Sequence, residues 1–261
     1  MEVVPLDSVA EVAGLAADVV EARVRAEPAT VLGLATGSSP VPAYRELARR
    51  RAAGSAPAYD RVRVFLLDEY VGLPEGHPQT YRETILREAT RPLGIPDGQV
   101  SGPDPDPERL PGAGQRYEEA LRAAGGVDLQ VLGIGSDGHL AFNEPGSSLA
   151  SLTRIKTLTE ETREANARFF AHLDEVPRHV LTQGLGTILR ARHLLLVATG
   201  AAKAAAVAAA LEGPLGASCP ASVLQLHPHV SVLLDPDAAS ALRARDHYRA
   251  VYAAKPAWQG L

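Results

Sequence analysis

Asp137, His139 and Glu144 bring two carboxylates close to an imidazole in the stretch VLGIGSDGHLAFNEPGSS, residues 131–148, with Asn143 beside the last of them. The stretch opens as an apolar strand and runs into glycines, so these polar side chains are presented at a strand's end. A histidine titrates near neutrality, and a neighbouring carboxylate fixes its tautomer and tunes its proton affinity. The chemistry this suits is proton transfer on a bound molecule. Asp-Gly-His alone is explained as a solvated turn; with Asn143-Glu144-Pro145 close behind, the stretch reads as a catalytic loop.

A second pair of carboxylates, Asp68-Glu69, follows the apolar run Val64-Phe65-Leu66-Leu67. A carboxylate shielded from water at a strand's carboxyl end has a raised pKa and can act as a base. One of the two is expected to serve this way, and the other to cap a turn or face solvent. His77, in an irregular loop, reads as solvated. Thr36-Gly37-Ser38-Ser39-Pro40 is a small-residue turn ahead of a helix, where backbone N–H groups suit an anion, phosphate above all. It lacks the Gly-Lys-Ser/Thr ending of a triphosphate loop. Residues 31–37 (VLGLATG) and 195–200 (LLVATG) echo each other as strand, Thr-Gly, helix, and Lys203 follows the second copy. Of the cations Arg154, Lys156, Arg163 and Arg168, most suit a solvated face, and Arg168 is placed on the pocket side.

Gly133-x-Gly135-x-x-Gly138 matches a dinucleotide fingerprint in letters only, because Pro145 and Gly146 interrupt the helix it requires. His172, His179, His193, His227, His229 and His247 show no paired metal-ligand spacing, so neither a metal nor a cofactor is assigned.

To position such loops the chain needs a sheet. Apolar strands over 30–34, 61–67, 129–134, 193–198 and 230–234 alternate with helical patterns over 8–27, 40 onward, 80–89, 107–124, 159–170, 201–211 and from Asp235-Pro236. Strands apolar on both faces and separated by helices predict a single-domain, open, mostly parallel α/β sheet over residues 1–261, Rossmann-like, with helices on both faces. A length of 261 residues allows ample core. A net charge of −5 argues against nucleic-acid binding. The lone Cys219 excludes an intramolecular disulfide, and with no export signal it places the chain in a reducing cytoplasm. No apolar run reaches membrane-spanning length.

With these residues in view, the chain resembles the glucosamine-6-phosphate deaminases. The stretches that carry the likeness are LGLATGSSP (32–40), LDEYVGLP (67–74), GIGSDGHLAFNEPGSSLASLTRIKTLT (133–159), ANARFF (165–170) and LQLHP (224–228), in family order. The third is highly specific; the phosphate turn, with Ala35 where the family often has proline, is less so. Past about Ala238 the likeness fades. The resemblance implies glucosamine 6-phosphate as substrate, fructose 6-phosphate and ammonium as products, and no metal or organic cofactor. It implies that His139, held by Asp137 and Glu144, opens the sugar ring, and that Asp68 moves the C2 proton to C1. Thr36, Gly37, Ser38, Ser39, Arg168 and Lys203 would hold the phosphate. Allosteric members are hexamers activated by N-acetylglucosamine 6-phosphate at a site matching Ser147, Arg154, Lys156 and Thr157, with Tyr248 a further contact; unregulated members are monomers. The regulated hexamer is the expectation placed ahead.

Two other readings compete. The 6-phosphogluconolactonases share the fold and a Gly-x-Asp-Gly-His loop but continue with small residues and a Leu-Phe-Pro, not Ala141-Phe-Asn-Glu-Pro145, so Glu144 discriminates. A non-catalytic sugar-phosphate sensor would carry a DNA-binding helix pair, for which the chain has neither room nor basic charge, and would tend to lose the base.

Overall fold

The computed structural model describes residues 1–256 and 258–261; the side chain of Ala165, first residue of the 165–170 stretch, lies outside the described residues. The chain begins β1 (Glu2–Pro5), α1 (Val9–Ala26), β2 (Val31–Leu34), α2 (Val41–Ala52), β3 (Arg63–Leu66) and β4 (Asp68–Tyr70). It continues with α3 (Tyr81–Ile85), α4 (Arg91–Leu93), β5 (Val100–Ser101), α5 (Ala113–Ala123), β6 (Leu129–Leu132), β7 (Arg154–Thr157) and α6 (Glu160–Asn166). The last part holds β8 (His179–Thr182), α7 (Leu185–Ile188), β9 (His193–Ala198), α8 (Ala204–Glu212), β10 (Val230–Leu234) and α9 (Arg245–Ala253).

Seven strands form a parallel sheet in the order β1-β10-β9-β6-β2-β3-β5. From β2 the chain steps outward to β3 and β5; from β6 it steps the other way, to β9 and β10. The order therefore reverses between β2 and β6, the place where open α/β sheets leave a crevice at their carboxyl ends. Strand side chains alternate between the faces, as a period of two requires. On β9, Leu194 and Leu196 join one core with Tyr117, Leu121, Ile188 and Val207, while Leu195 and Val197 join the other with Val12, Tyr44, Leu47 and Ile85. A fully buried leucine contributes about 1.5–3 kcal/mol over an exposed one, so both faces are strongly specified.

The capping expected at Ser8 is present: its hydroxyl accepts the Glu11 N–H at 3.1 Å. Several bounds differ. The helix expected over 80–89 passes through a π-helical turn, Leu86–Thr90, and continues to Leu93, beside Pro92, which has no N–H for a regular ladder. The 107–124 pattern splits into a 3₁₀ turn and α5, separated by Pro111 and Gly112. Asp235-Pro236 opens a run of turns rather than the last helix, which starts at Arg245. The antiparallel sheet β4-β8-β7 was not expected at all.

Candidate active site

The proposed site residues on loops leave the sheet at β2, β3, β6 and β9, four adjacent strands around the reversal point. After β2, the Tyr44 hydroxyl on α2 accepts the Ala35 N–H at 3.1 Å and donates to the Ala35 carbonyl at 2.9 Å, fixing the strand's last turn before Thr36. Gly37 and Ser38 are exposed, Thr36 half-buried and Ser39 buried. Among the described residues, the amides of Gly37, Ser38 and Ser39 donate to no backbone carbonyl. They precede α2, and the N-terminal turn of a helix is where anions bind well. The echoing turn after β9 meets this one: Thr199 N and Oγ1 both lie 3.2 Å from Ser39 Oγ. Its own Gly200 amide is taken by the Asp235 carboxylate at 3.0 Å. One of the two echoing turns therefore keeps its amides and the other is capped from inside.

Lys203 closes a 3₁₀ turn ahead of α8. Burial lowers its pKa; the Asp137 carboxylate raises it, and Arg168 lowers it further. Lys203 thus lies within charge range of the Asp137 loop and of Arg168, on the 3₁₀ turn Ala167–Phe169 with its guanidinium 4.7 Å from the Phe169 ring centroid. Arg163, grouped with it by sequence, is buried, and its guanidinium is spent on the Leu173 and Val176 carbonyls.

Asp68 and Glu69 have opposite surroundings. Glu69 is buried and accepts the backbone N–H groups of Tyr70, Tyr81 and Arg82 at 2.8, 2.9 and 2.9 Å, closing the N-terminus of α3. Asp68 is also buried, but among the described residues no donor reaches its carboxylate through a hydrogen bond. Burial, and secondarily the Glu69 charge, push it up to about 8. One carboxylate caps the helix, and among the described residues the other receives no hydrogen bond.

After β6, the Gly138 amide donates to the Gly135 carbonyl and the Gly135 amide to the His139 carbonyl, closing a tight turn. Two glycines are obligatory here. A Cβ on Gly135 would lie 2.3 Å from the His139 ring, and Gly138, at φ +85°, would drive one to 2.7 Å from Cys219 Sγ. His139 Nδ1 stands 2.7 Å from Asp137 Oδ1, off the line of a good N–H bond. Asp137 also accepts the His139 backbone N–H at 3.2 Å. The His139 side chain holds Asp137 below the usual carboxylate range. Glu144 does not share this pairing: its Oε1 accepts from Thr159 Oγ1 at 3.2 Å and Thr162 Oγ1 at 2.5 Å, on α6 and its cap. Nδ1 is thus the ring nitrogen of His139 beside Asp137, and Nε2 is the other. The loop carries backbone strain at Ala141, φ +52°.

The residues matched to an effector site are only partly together. Ser147 is buried with an unpartnered hydroxyl. Arg154 and Lys156 lie half-buried on one face of β7, and Thr157 on the other, its hydroxyl 3.2 Å from His179 Nδ1. Tyr248 is on α9, packed against the main core, and no hydrogen bond among the described residues joins it to β7.

The family model described as glucosamine-6-phosphate isomerases/6-phosphogluconolactonase matches residues 6–233. A protein of Arthrobacter sp. (strain FB24) named glucosamine-6-phosphate deaminase is 60% identical over 261 residues, with 100% of both chains covered. This chain belongs to the glucosamine-6-phosphate deaminase family. A deaminase of Mycolicibacterium smegmatis is 55% identical, again with 100% of both covered. Among solved structures, one described as a monomeric glucosamine-6-phosphate deaminase superposes with a TM-score of 0.88 at 37% identity, covering 92% of this chain and 100% of that one. The 6-phosphogluconolactonase of Trypanosoma brucei shares the fold alone, at TM-score 0.71 and 21% identity over 92% and 97% of the two chains. No helix among the described residues is long and apolar enough to cross a membrane.

The sequence does not mark Thr159 and Thr162 as partners of Glu144, nor Thr182 and Gln183 as partners of the backbone at Leu66, Leu67 and Phe142. These are polar residues at strand and helix ends, and nothing in their spacing marks them until the antiparallel sheet is seen.

Proposed function

We propose that this protein isomerises and deaminates glucosamine 6-phosphate to fructose 6-phosphate and ammonium, a step of amino-sugar and N-acetylglucosamine catabolism. The observation that carries the reading is Asp68, a buried carboxylate at the carboxyl end of β3 that receives no hydrogen bond among the described residues, held near the proton affinity a general base needs. The phosphate binds the amides of Gly37, Ser38 and Ser39, the Thr36 hydroxyl, and the cations Arg168 and Lys203. This remote contact orients the reacting carbons.

His139 Nε2 moves the proton from O1 to O5, breaking the C1–O5 bond, while Asp137 holds the ring and Glu144, bonded to Thr159 and Thr162, fastens the loop to α6. Asp68 takes the C2 proton of the open-chain aldehyde. The C2–H electron pair becomes the C1–C2 double bond of an enolamine, and the C1 oxygen takes a proton from the substrate's ammonium group. Asp68 returns its proton to C1, leaving an iminium at C2. Water adds to C2 and ammonia leaves, giving the ketone. The chain's single cysteine supports a reducing, cytoplasmic setting. Ammonia release from glucosamine 6-phosphate, measured beside 6-phosphogluconolactone, tests the function; lactone hydrolysis without ammonia overturns it.

The same proposal extends to regulation by N-acetylglucosamine 6-phosphate in a hexamer. What supports it is the pair of half-buried cations Arg154 and Lys156 on β7, near in sequence to the unpartnered Ser147 hydroxyl. β7 is an edge strand, and Leu152 and Ile155 beside it are exposed, as a surface meeting another subunit requires. The solved relative described as monomeric defines the competing outcome.

A further inference from the structure

We infer that Thr182 and Gln183 form a positioning clamp that fixes Asp68 relative to the His139 loop. The inference rests on the assignment of Asp68 and His139 to the chemistry.

Thr182 ends β8 and is fully buried, and Gln183 follows it at 1% exposure. On one side the two residues hold the Asp68 strand. Thr182 stands opposite Asp68 in the antiparallel pairing of β4 with β8. The Gln183 N–H donates to the Leu67 carbonyl at 2.7 Å, and its side-chain Nε2 to the Leu66 carbonyl at 2.9 Å. On the other side they hold the loop just past His139. Thr182 Oγ1 accepts the Phe142 N–H at 3.1 Å and donates to the Gln183 carbonyl at 3.3 Å. That carbonyl also accepts Asn143 Nδ2 at 2.8 Å, while the same Nδ2 donates to the Leu140 carbonyl at 2.9 Å.

These bonds bracket Ala141, the one non-glycine residue with positive φ among the described residues. Strain of this kind persists only where its surroundings over-determine it, and it gathers at functional sites. The hydroxyl of Thr182 is central because it both accepts and donates, tying the loop past His139 to the end of the strand that pairs with Asp68. The phosphate turn takes no part in the clamp. Loosening it should therefore misplace the base against the sugar and leave phosphate binding alone.

The test is steady-state kinetics on folded enzyme with Thr182→Val, which keeps the shape but strands the Phe142 N–H, and Thr182→Ser, which restores the hydroxyl. For T182V, kcat should fall by about 100-fold, the scale of a 1 Å misplacement, with KM changed by no more than about twofold. C2-proton exchange with solvent should fall in parallel, and T182S should recover most of the loss. Unchanged kcat in T182V, or a T182S as poor as T182V, overturns the inference. Should T182V fail to fold, Gln183→Met removes the side-chain bonds to Leu66 and to the Tyr117 hydroxyl; a loss in kcat of about 10-fold supports the clamp and wild-type kcat overturns it. Asp68→Asn, run alongside, separates the two layers of argument. If it stays active, the catalytic assignment fails; if it is inactive while T182V turns over normally, only the clamp fails.

Discussion

Replacing Asp68 with asparagine should make the protein less active and more stable, and the pH dependence of both effects follows from the structure. Burial, then the Glu69 charge, lift the Asp68 carboxyl from 3.8 to about 8. Each tenfold change in proton affinity is worth about 1.4 kcal/mol, so an ionised Asp68 destabilises the fold by on the order of 5 kcal/mol above pH 8. The sign is set by the folded state binding this proton more tightly than the unfolded chain. The stabilising contribution of the protonated group is complete below about pH 4 and is lost as pH rises toward about 8. Asparagine is nearly isosteric and carries no charge, so Asp68→Asn escapes that loss. Urea unfolding at a series of pH values should show the variant ahead of wild type at pH 9 and the gap closing as pH falls toward 4. Subtracting the two curves removes every other titration they share. Activity should run the other way. The base must be ionised, so wild-type kcat/KM should fall about tenfold for each pH step below the Asp68 pKa, and D68N should lose at least ~100-fold. A stability difference that stays flat from pH 4 to pH 9 would refute the reasoning, because it would mean that Asp68 titrates alike in the folded and unfolded chains.

His139→Gln should be impaired mainly on the cyclic sugar, whereas an open-chain amino-sugar alditol phosphate should bind about as before; equal loss of affinity for that analogue would make His139 a binding residue. Lys203→Ala should raise KM for the phosphorylated sugar by at least ~10-fold, the scale of a charge-assisted hydrogen bond, and leave the weak reaction of free glucosamine nearly unchanged. Equal damage to both reactions would make Lys203 structural. N-acetylglucosamine 6-phosphate should lower the apparent KM by roughly 5- to 150-fold in a hexamer, the range of ordinary allosteric coupling. Light scattering that gives a monomer, with hyperbolic kinetics indifferent to the effector, would falsify the regulatory proposal and leave the catalytic one standing.

The parallel sheet was legible because its strands are buried on both faces and therefore read as continuous apolar runs: 193–198 and 230–234 match β9 and β10 at both ends. The turns after β2 and β6 were legible for a related reason, since small and polar residues interrupt an apolar run where a strand ends. The antiparallel sheet was hidden. β4 is the three residues Asp68-Glu69-Tyr70, and β7 is Arg-Ile-Lys-Thr, with alternate positions exposed. Neither has the length or apolarity to be distinguished from a loop, and their pairing depends on β8, more than a hundred residues beyond β4 in the chain. The Glu144 contacts were missed because short-range order in the sequence does not say which way a side chain turns. Glu144 sits near His139 along the chain, yet it takes its hydrogen bonds from Thr159 and Thr162.

β4 also explains how adjacent carboxylates come to do different work. Successive side chains of a strand point to opposite faces, so Asp68 and Glu69 cannot share surroundings. Glu69 is turned toward the start of α3, where three backbone N–H groups supply its charge with hydrogen bonds that the Asp68 carboxylate lacks. The bonds to Glu69 anchor β4 at the cost of one buried carboxylate, and the strand can then carry a second one unsatisfied. On its far edge β4 is pinned by β8, whose last residue reaches the loop bearing His139. Asp68 is therefore held through the backbone of its strand, while among the described residues no hydrogen bond reaches its own oxygens. A carboxylate tied down through its oxygens would be as well placed, but those bonds would stabilise its charge and lower the proton affinity that removal of a carbon-bound proton requires. Rigidity is supplied through the main chain, and reactivity is kept at the side chain.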